Sequence, residues 1–405
     1  MKQTYLLTLL CSLLALRAAA QDCSSLHIDQ SDLCYVKKFL IHSPQHDSLQ
    51  ESYLTYTKGL NEYHPKAQQA PWGGNYMPLL QGGLATRWTQ TPSSHPHSDS
   101  LLSWAQVQQM SIAEIAALSP AEKMDIYLGY SDFRITRNEL LHRGPERLLI
   151  RNVVVESGVA RPDTVRVQAR EGFCDGMRLA GAWLPEPERT ITVQSYDTSS
   201  DIYVRFYPAD LKALAAASCF YAQWYASVGE NNSRMPDAGT FDILLREVLG
   251  RQKRTFFVDV KQGEEKWNES VVGYKREVLK ESTVTALLTG MPPATKKAVD
   301  VRLTLHLLGE LPLNNNATAA GIANKTLTKT RITQYRLYVD QNNRIVGGKW
   351  QKLDTQNYSN YLQYPDYIWL AGGVGVDQQP MYATQGGNPH LSYFEVQNLI
   401  QFARR

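Results

Sequence analysis

Cysteine is scarce in this chain, with five in 405 residues: Cys11, Cys23, Cys34, Cys174 and Cys219. There is no C-x-x-C pair, no H-E-x-x-H and no clustered histidine, which argues against a zinc site. An excess of charge is also missing. The 42 basic residues face 39 acidic ones, leaving a net +3 and no basic block. A surface that tracks nucleic-acid phosphates therefore has no support. No low-complexity tract occurs, and no apolar run beyond the N-terminus is long enough to span a bilayer. Gly82-Gly83 is not followed by Gly-Lys-Ser/Thr, so it does not read as a phosphate loop.

What is present begins with a leader. Lys2 precedes an apolar run from Tyr5 to Leu16, and Ala18-Ala19-Ala20 offers a small-residue cleavage site. Residues 1–20 thus read as a secretory signal peptide. The expected location is outside the cytoplasm: extracellular, cell wall or periplasm. In an oxidising compartment Cys23 and Cys34 are candidates for a short-loop disulfide, and a Cys174–Cys219 bridge stays open as the structural alternative to a reactive thiol. The remaining length exceeds one ordinary core, and the 43% hydrophobic and 20% charged composition is that of a globular protein.

Several elements are legible. Ser119-Pro120 is an N-cap followed by an N1 proline, predicting a helix to Gly129. Residues 147–154 and 163–169 read as strands, 172–183 as a helix opening at Cys174, and 189–194 as a strand. A helix led by Pro208 is predicted over 209–226. Another runs over 237–250, where Phe241, Leu244, Leu245 and Val248 fall on one face. The run 255–260 reads as a buried strand carrying Asp259. Residues 298–307, 331–339 and 345–351 are strand-like, and 393–403 form an amphipathic helix.

Cys174 is the candidate nucleophile. A thiol reacts as the thiolate, and the start of a helix favours that form. Gly172 and Gly176 permit close approach of backbone or substrate. Gln168 lies six residues upstream, the spacing of the oxyanion-hole glutamine in papain-like enzymes. A cysteine acyl-transfer site then needs a base and an orienting group. Asp259 fits the orienting role, but no histidine lies between it and Cys174.

Six segments carry a resemblance to a known family. They are "PWGGNYMPLLQGGLATRW" (71–88), "FCDGMRLAGAWLPEPERTITV" (173–193), "YPADLKALAA" (207–216), "WNESVVGYK" (267–275), "VDQNNRIVGGKW" (339–350) and "YPDYIW" (364–369). In content and order they resemble the transglutaminase elicitor family of secreted oomycete cell-wall transglutaminases and bacterial relatives. The resemblance implies a papain-like cysteine core, acyl transfer from protein glutamine to a lysine amine, and calcium dependence. It makes Cys174 the nucleophile and Asp259 the orienting acid, and it places the family's histidine at Asp242. Asp175 is a second departure, because the family usually has a non-acidic residue there. Carboxylates near a thiol favour its neutral form, and an ordinary Asp is a weak base for it.

The expected fold class is α+β. The expected division is an N-terminal segment (21–149), a papain-like core (150–285), a β-rich part (286–375) and a tail with the terminal helix (376–405). Two function classes remain open. One is a secreted protein-glutamine γ-glutamyltransferase-like enzyme acting on proteins with accessible Gln and Lys side chains. The other is a catalytically silent homologue acting as a binding or surface protein.

Overall fold

The computed structural model describes residues 71–87, 101–144, 148–156, 159–167, 171–199, 201–220, 223–229, 235–260, 267–309, 328–353, 360–374 and 388–404, with isolated positions between Asp32 and His64 and at Gln356. The leader, Cys23, Cys34 and Gln168 lie outside the described residues.

The fold mixes helices and antiparallel sheet. Short helices α1 (Trp104–Val107) and α2 (Ile112–Ala116) lead into α3 (Pro120–Leu128) and α4 (Arg134–His142). Ser119 caps α3 as expected: its hydroxyl accepts from Glu122 N while the Glu122 side chain returns to Ser119 N. Gly129 ends that helix at φ 72°, in the left-handed region that glycine tolerates. α5 (Cys174–Trp183) opens at Cys174, and α6 (Pro208–Phe220) packs along it. Gly176 makes that approach possible, since a Cβ there would lie 2.0 Å from Ala216 O. α7 (Ala238–Leu244) continues as a π-helical turn over Leu245–Arg251, and α8 (Tyr393–Phe402) rests on α6.

The strands are β1 (Glu62–Tyr63), β2 (Leu148–Glu156), β3 (Val159–Arg166), β4 (Ile191–Gln194), β5 (Tyr203–Phe206), β6 (Gln223–Val228), β7 (Phe257–Asp259), β8 (Asn268–Thr283), β9 (Lys297–Leu308), β10 (Thr328–Val339), β11 (Ile345–Gln351) and β12 (Ile368–Val374). β2–β3 and β4–β5 form two-stranded ribbons; the others build one sheet in the order β11-β10-β9-β8-β7-β12-β6, with β1 also on β8.

One sequence expectation changes. The helix from Pro208 stops at Phe220, and residues 223–228 pair as β6 with β12. α6 is buried almost all round, so its apolar pattern carries no stop signal. β8 and β9 pair from Ser270↔Leu308 to Thr283↔Lys297 in one sheet.

The sheet separates two hydrophobic cores. Phe257, Tyr367 and Trp369 join α3–α6 and α8 in a helical core, whereas Val258, Ile368 and Leu370 join α7 and β8–β11 in the other. That is the period-two alternation of a strand buried on both faces. Among the described residues no helix is long and apolar enough to cross a membrane.

Candidate active site at the start of α5

α5 places Cys174 at its first turn, half-buried, against the sheet strands β8 and β12. No side chain caps the helix from Phe173. The Cys174 thiol donates to Asp175 Oδ1 at 3.5 Å. The same carboxylate oxygen accepts from Asn268 Nδ2. Asn268 Oδ1 accepts from the Tyr367 hydroxyl at 2.9 Å and from Trp369 Nε1 at 3.0 Å.

Strand periodicity explains why these groups meet. Phe257 faces the helical core, so Asp259, two residues on, lies on the same side. Asn268 stands directly across from Asp259, and Trp369 directly across from Phe257. All of them face α5. Asp259 is buried, and its Oδ1 accepts from Trp267 N at 3.1 Å. Backbone bonds from Asp259 N to Tyr367 O and from Asp366 N to Asp259 O, both 2.9 Å, tie β7 to the approach of β12. Burial holds the Tyr367 hydroxyl well above the usual tyrosine range. Negative charge on Asp175 adds to that, with smaller contributions from Asp259 and Cys174, while the Asn268 hydrogen bond opposes it.

Arg178, one turn along α5 from Cys174, is buried and donates from Nε to Asn268 O at 2.7 Å. Helix and strand are therefore fastened beside the thiol. Gly172 serves close packing, because a Cβ there would meet the Tyr76 ring at 2.3 Å. Cys174 and Cys219 are both thiols, not a disulfide. Cys219 is fully buried on α6, and burial pushes it up to about 12.

Asp242 does not join this group. It lies on α7, in the core on the opposite face of the sheet. Its Oδ1 accepts from Arg276 Nε and from the Tyr335 hydroxyl, both at 2.7 Å, and its Oδ2 from Arg246 Nε at 2.9 Å. Burial acts to raise its pKa, but the two guanidiniums and the tyrosine outweigh that and hold it below the usual carboxylate value. Asp242, where the resemblance places the family's histidine, thus has the surroundings of a buried structural charge. His306 is on β9, with its ring centroid 5.1 Å from that of His64.

Sequence reasoning missed Asn268, Tyr367 and Trp369 as site residues. They lay in the segments "WNESVVGYK" and "YPDYIW", which carried the resemblance but were not assigned roles. Asp175 counted there only as a departure. Among the described residues no three His, Cys, Asp or Glu side chains could together hold a metal ion.

A half-exposed cysteine at a helix start, bonded to an acid and faced by an oriented amide, defines a cysteine-centred site on a mixed helix-and-sheet fold. The chain belongs to the transglutaminase elicitor family, whose profile matches residues 172–405. Its fold is similar to that of the GP42 transglutaminase from Phytophthora sojae, with a TM-score of 0.60 and 18% identity over 92% of this chain and 97% of that one. No curated protein matches in sequence.

Proposed function

We propose that this chain is a secreted transglutaminase-type aminoacyltransferase with Cys174 as nucleophile, on a papain-like arrangement of helix and sheet. The observation that carries the reading is the thiol of a family member, half-exposed at the start of α5 and hydrogen-bonded to Asp175. The Cys174 sulfur attacks the carboxamide carbon of a protein glutamine. The C–N bond breaks, ammonia leaves, and a thioester forms. A lysine amine then attacks the thioester carbon, giving an isopeptide bond and restoring the thiol.

Asp175 accepts a hydrogen bond from the thiol, and so it is placed to act as the base. It passes the proton to the leaving ammonia, and in the second step takes one from the attacking amine. A carboxylate is a weaker base for a thiol than an imidazole, so turnover slower than that of a histidine-based site is expected. The substrates are proteins with accessible Gln and Lys side chains.

The test is incorporation of a fluorescent amine into a glutamine-bearing protein, with and without calcium, by the wild type and Cys174→Ala. Incorporation lost in the variant supports the enzyme. No incorporation by the wild type under either condition favours a silent homologue that acts by binding, a reading to which the carboxylate beside the thiol already lends weight.

A further inference from the structure

We infer that Asn268 is a positioning residue for the Cys174–Asp175 pair, with its amide locked in one orientation by Tyr367 and Trp369. The inference rests on the reading of Cys174 as nucleophile. An indole N–H can only donate, and an ionised carboxylate can only accept. Trp369 Nε1 lies 3.0 Å from one end of the Asn268 amide, and Asp175 Oδ1 meets the other end. Only one assignment satisfies both: oxygen toward Trp369 and Tyr367, nitrogen toward Asp175. A turned amide would set N–H against N–H at Trp369 and oxygen against carboxylate at Asp175.

The surroundings keep that choice rigid. Asn268 is 1% exposed, so water cannot replace a lost partner. The Trp369 indole stacks on Phe257 with ring centroids 4.0 Å apart. Arg178 grips the Asn268 carbonyl from the helix that bears Cys174, so thiol and amide move as one unit. The consequence is chemical. Asp175 Oδ1 is shared between the amide N–H and the thiol, which fixes the carboxylate where it can exchange a proton with sulfur.

Two variants test this. Tyr367→Phe removes one oxygen and one of the two donors on Asn268 Oδ1, and leaves the ring in place. It should lower kcat for amine incorporation about tenfold, the equivalent of one hydrogen bond, with KM unchanged. Asn268→Asp keeps acceptors for Tyr367 and Trp369 but turns a carboxylate oxygen toward Asp175. The pH profile for iodoacetamide alkylation of Cys174, read by peptide mass spectrometry, should then move upward by about one unit or more. Tyr367→Phe should move it the same way by less, which keeps the test informative if Asn268→Asp folds poorly.

Lower melting temperatures with the wild-type alkylation profile in both variants would overturn the assignment, leaving Asn268 a structural residue. If the wild type incorporates no amine yet the profile shifts in the variants, the enzymatic reading fails and the positioning of the pair stands.

Discussion

Each face of the central sheet carries a buried or half-buried aspartate, and the two are used in opposite ways. On the α5 face Asp175 is half-buried, and its Oδ1 meets the thiol of Cys174 and the amide of Asn268. On the α7 face Asp242 is fully buried and clamped by two guanidiniums and a tyrosine. Those same guanidiniums reach the N-terminal backbone, Arg246 at Thr55 O and Arg276 at Thr57 O. A carboxylate whose charge is fully matched organises a core; one placed against a thiol can take part in proton transfer. Residue type alone does not separate the two roles.

The largest effect is expected at the thiol itself. Cys174→Ala should abolish amine incorporation, with a melting temperature close to wild type because the side chain is only partly buried. A variant that keeps incorporating amine would place the chemistry elsewhere.

Next in size is the opposite face. Asp242→Asn leaves two buried guanidiniums without their counter-charge and should cost about 3–5 kcal/mol of unfolding free energy, the range for breaking a buried ion pair. Denaturant titration measures it. Asp242→His should destabilise similarly and should not raise amine incorporation. A gain in activity there would restore Asp242 to the site.

The pH dependence of that loss has a fixed sign. Asp242 has a depressed pKa in the folded state. Its contribution is therefore fully present above the unfolded carboxylate value of about 4 and is lost as pH falls through the folded value below it. The stability difference between wild type and Asp242→Asn should stay constant from neutral pH down to about 4 and shrink beneath it. A difference that shrank between pH 7 and 5 would contradict the buried ion-pair account.

A smaller effect concerns the platform under Cys174. A Cβ at Gly176 would lie 2.0 Å from Ala216 O and 2.6 Å from Phe220 N, both backbone atoms. Gly176→Ala should push α5 from α6 and cost about 1–3 kcal/mol, as overpacking does. A thermal melt equal to wild type would show that the helices separate freely.

Much of the fold was legible in the sequence where local signals agreed. α5 begins at Cys174 as read, and the Ser119-Pro120 cap and three of the C-terminal strands fall where patterning placed them. The longest strand was not legible. β8 carries irregularities between Val271 and Gly273 and between Val278 and Lys280, and each resets the alternation that announces a strand. The site was half legible. Cys174 stood out by its context, and Asp259 lies on the same sheet face as Asn268. Order along the chain says nothing about which face of a sheet a helix covers, so resemblance put Asp242 at the base while the fold put it behind the sheet. Asn268 acquires its meaning only from Tyr367 and Trp369, about a hundred positions away.

We propose Asp175, and not Asp242, as the acid coupled to Cys174. The most direct measurement is the pH dependence of Cys174 alkylation in wild type, Asp175→Asn and Asp242→Asn, each paired with its amine-incorporation rate. Removing the adjacent negative charge should shift the Asp175→Asn profile to lower pH by about one unit or more, while incorporation falls about 10²-fold or more for want of a base. Folded Asp242→Asn should keep the wild-type alkylation profile and show its loss only in stability. The reverse pattern, with an unmoved profile in Asp175→Asn and a shifted one in Asp242→Asn, would contradict the account.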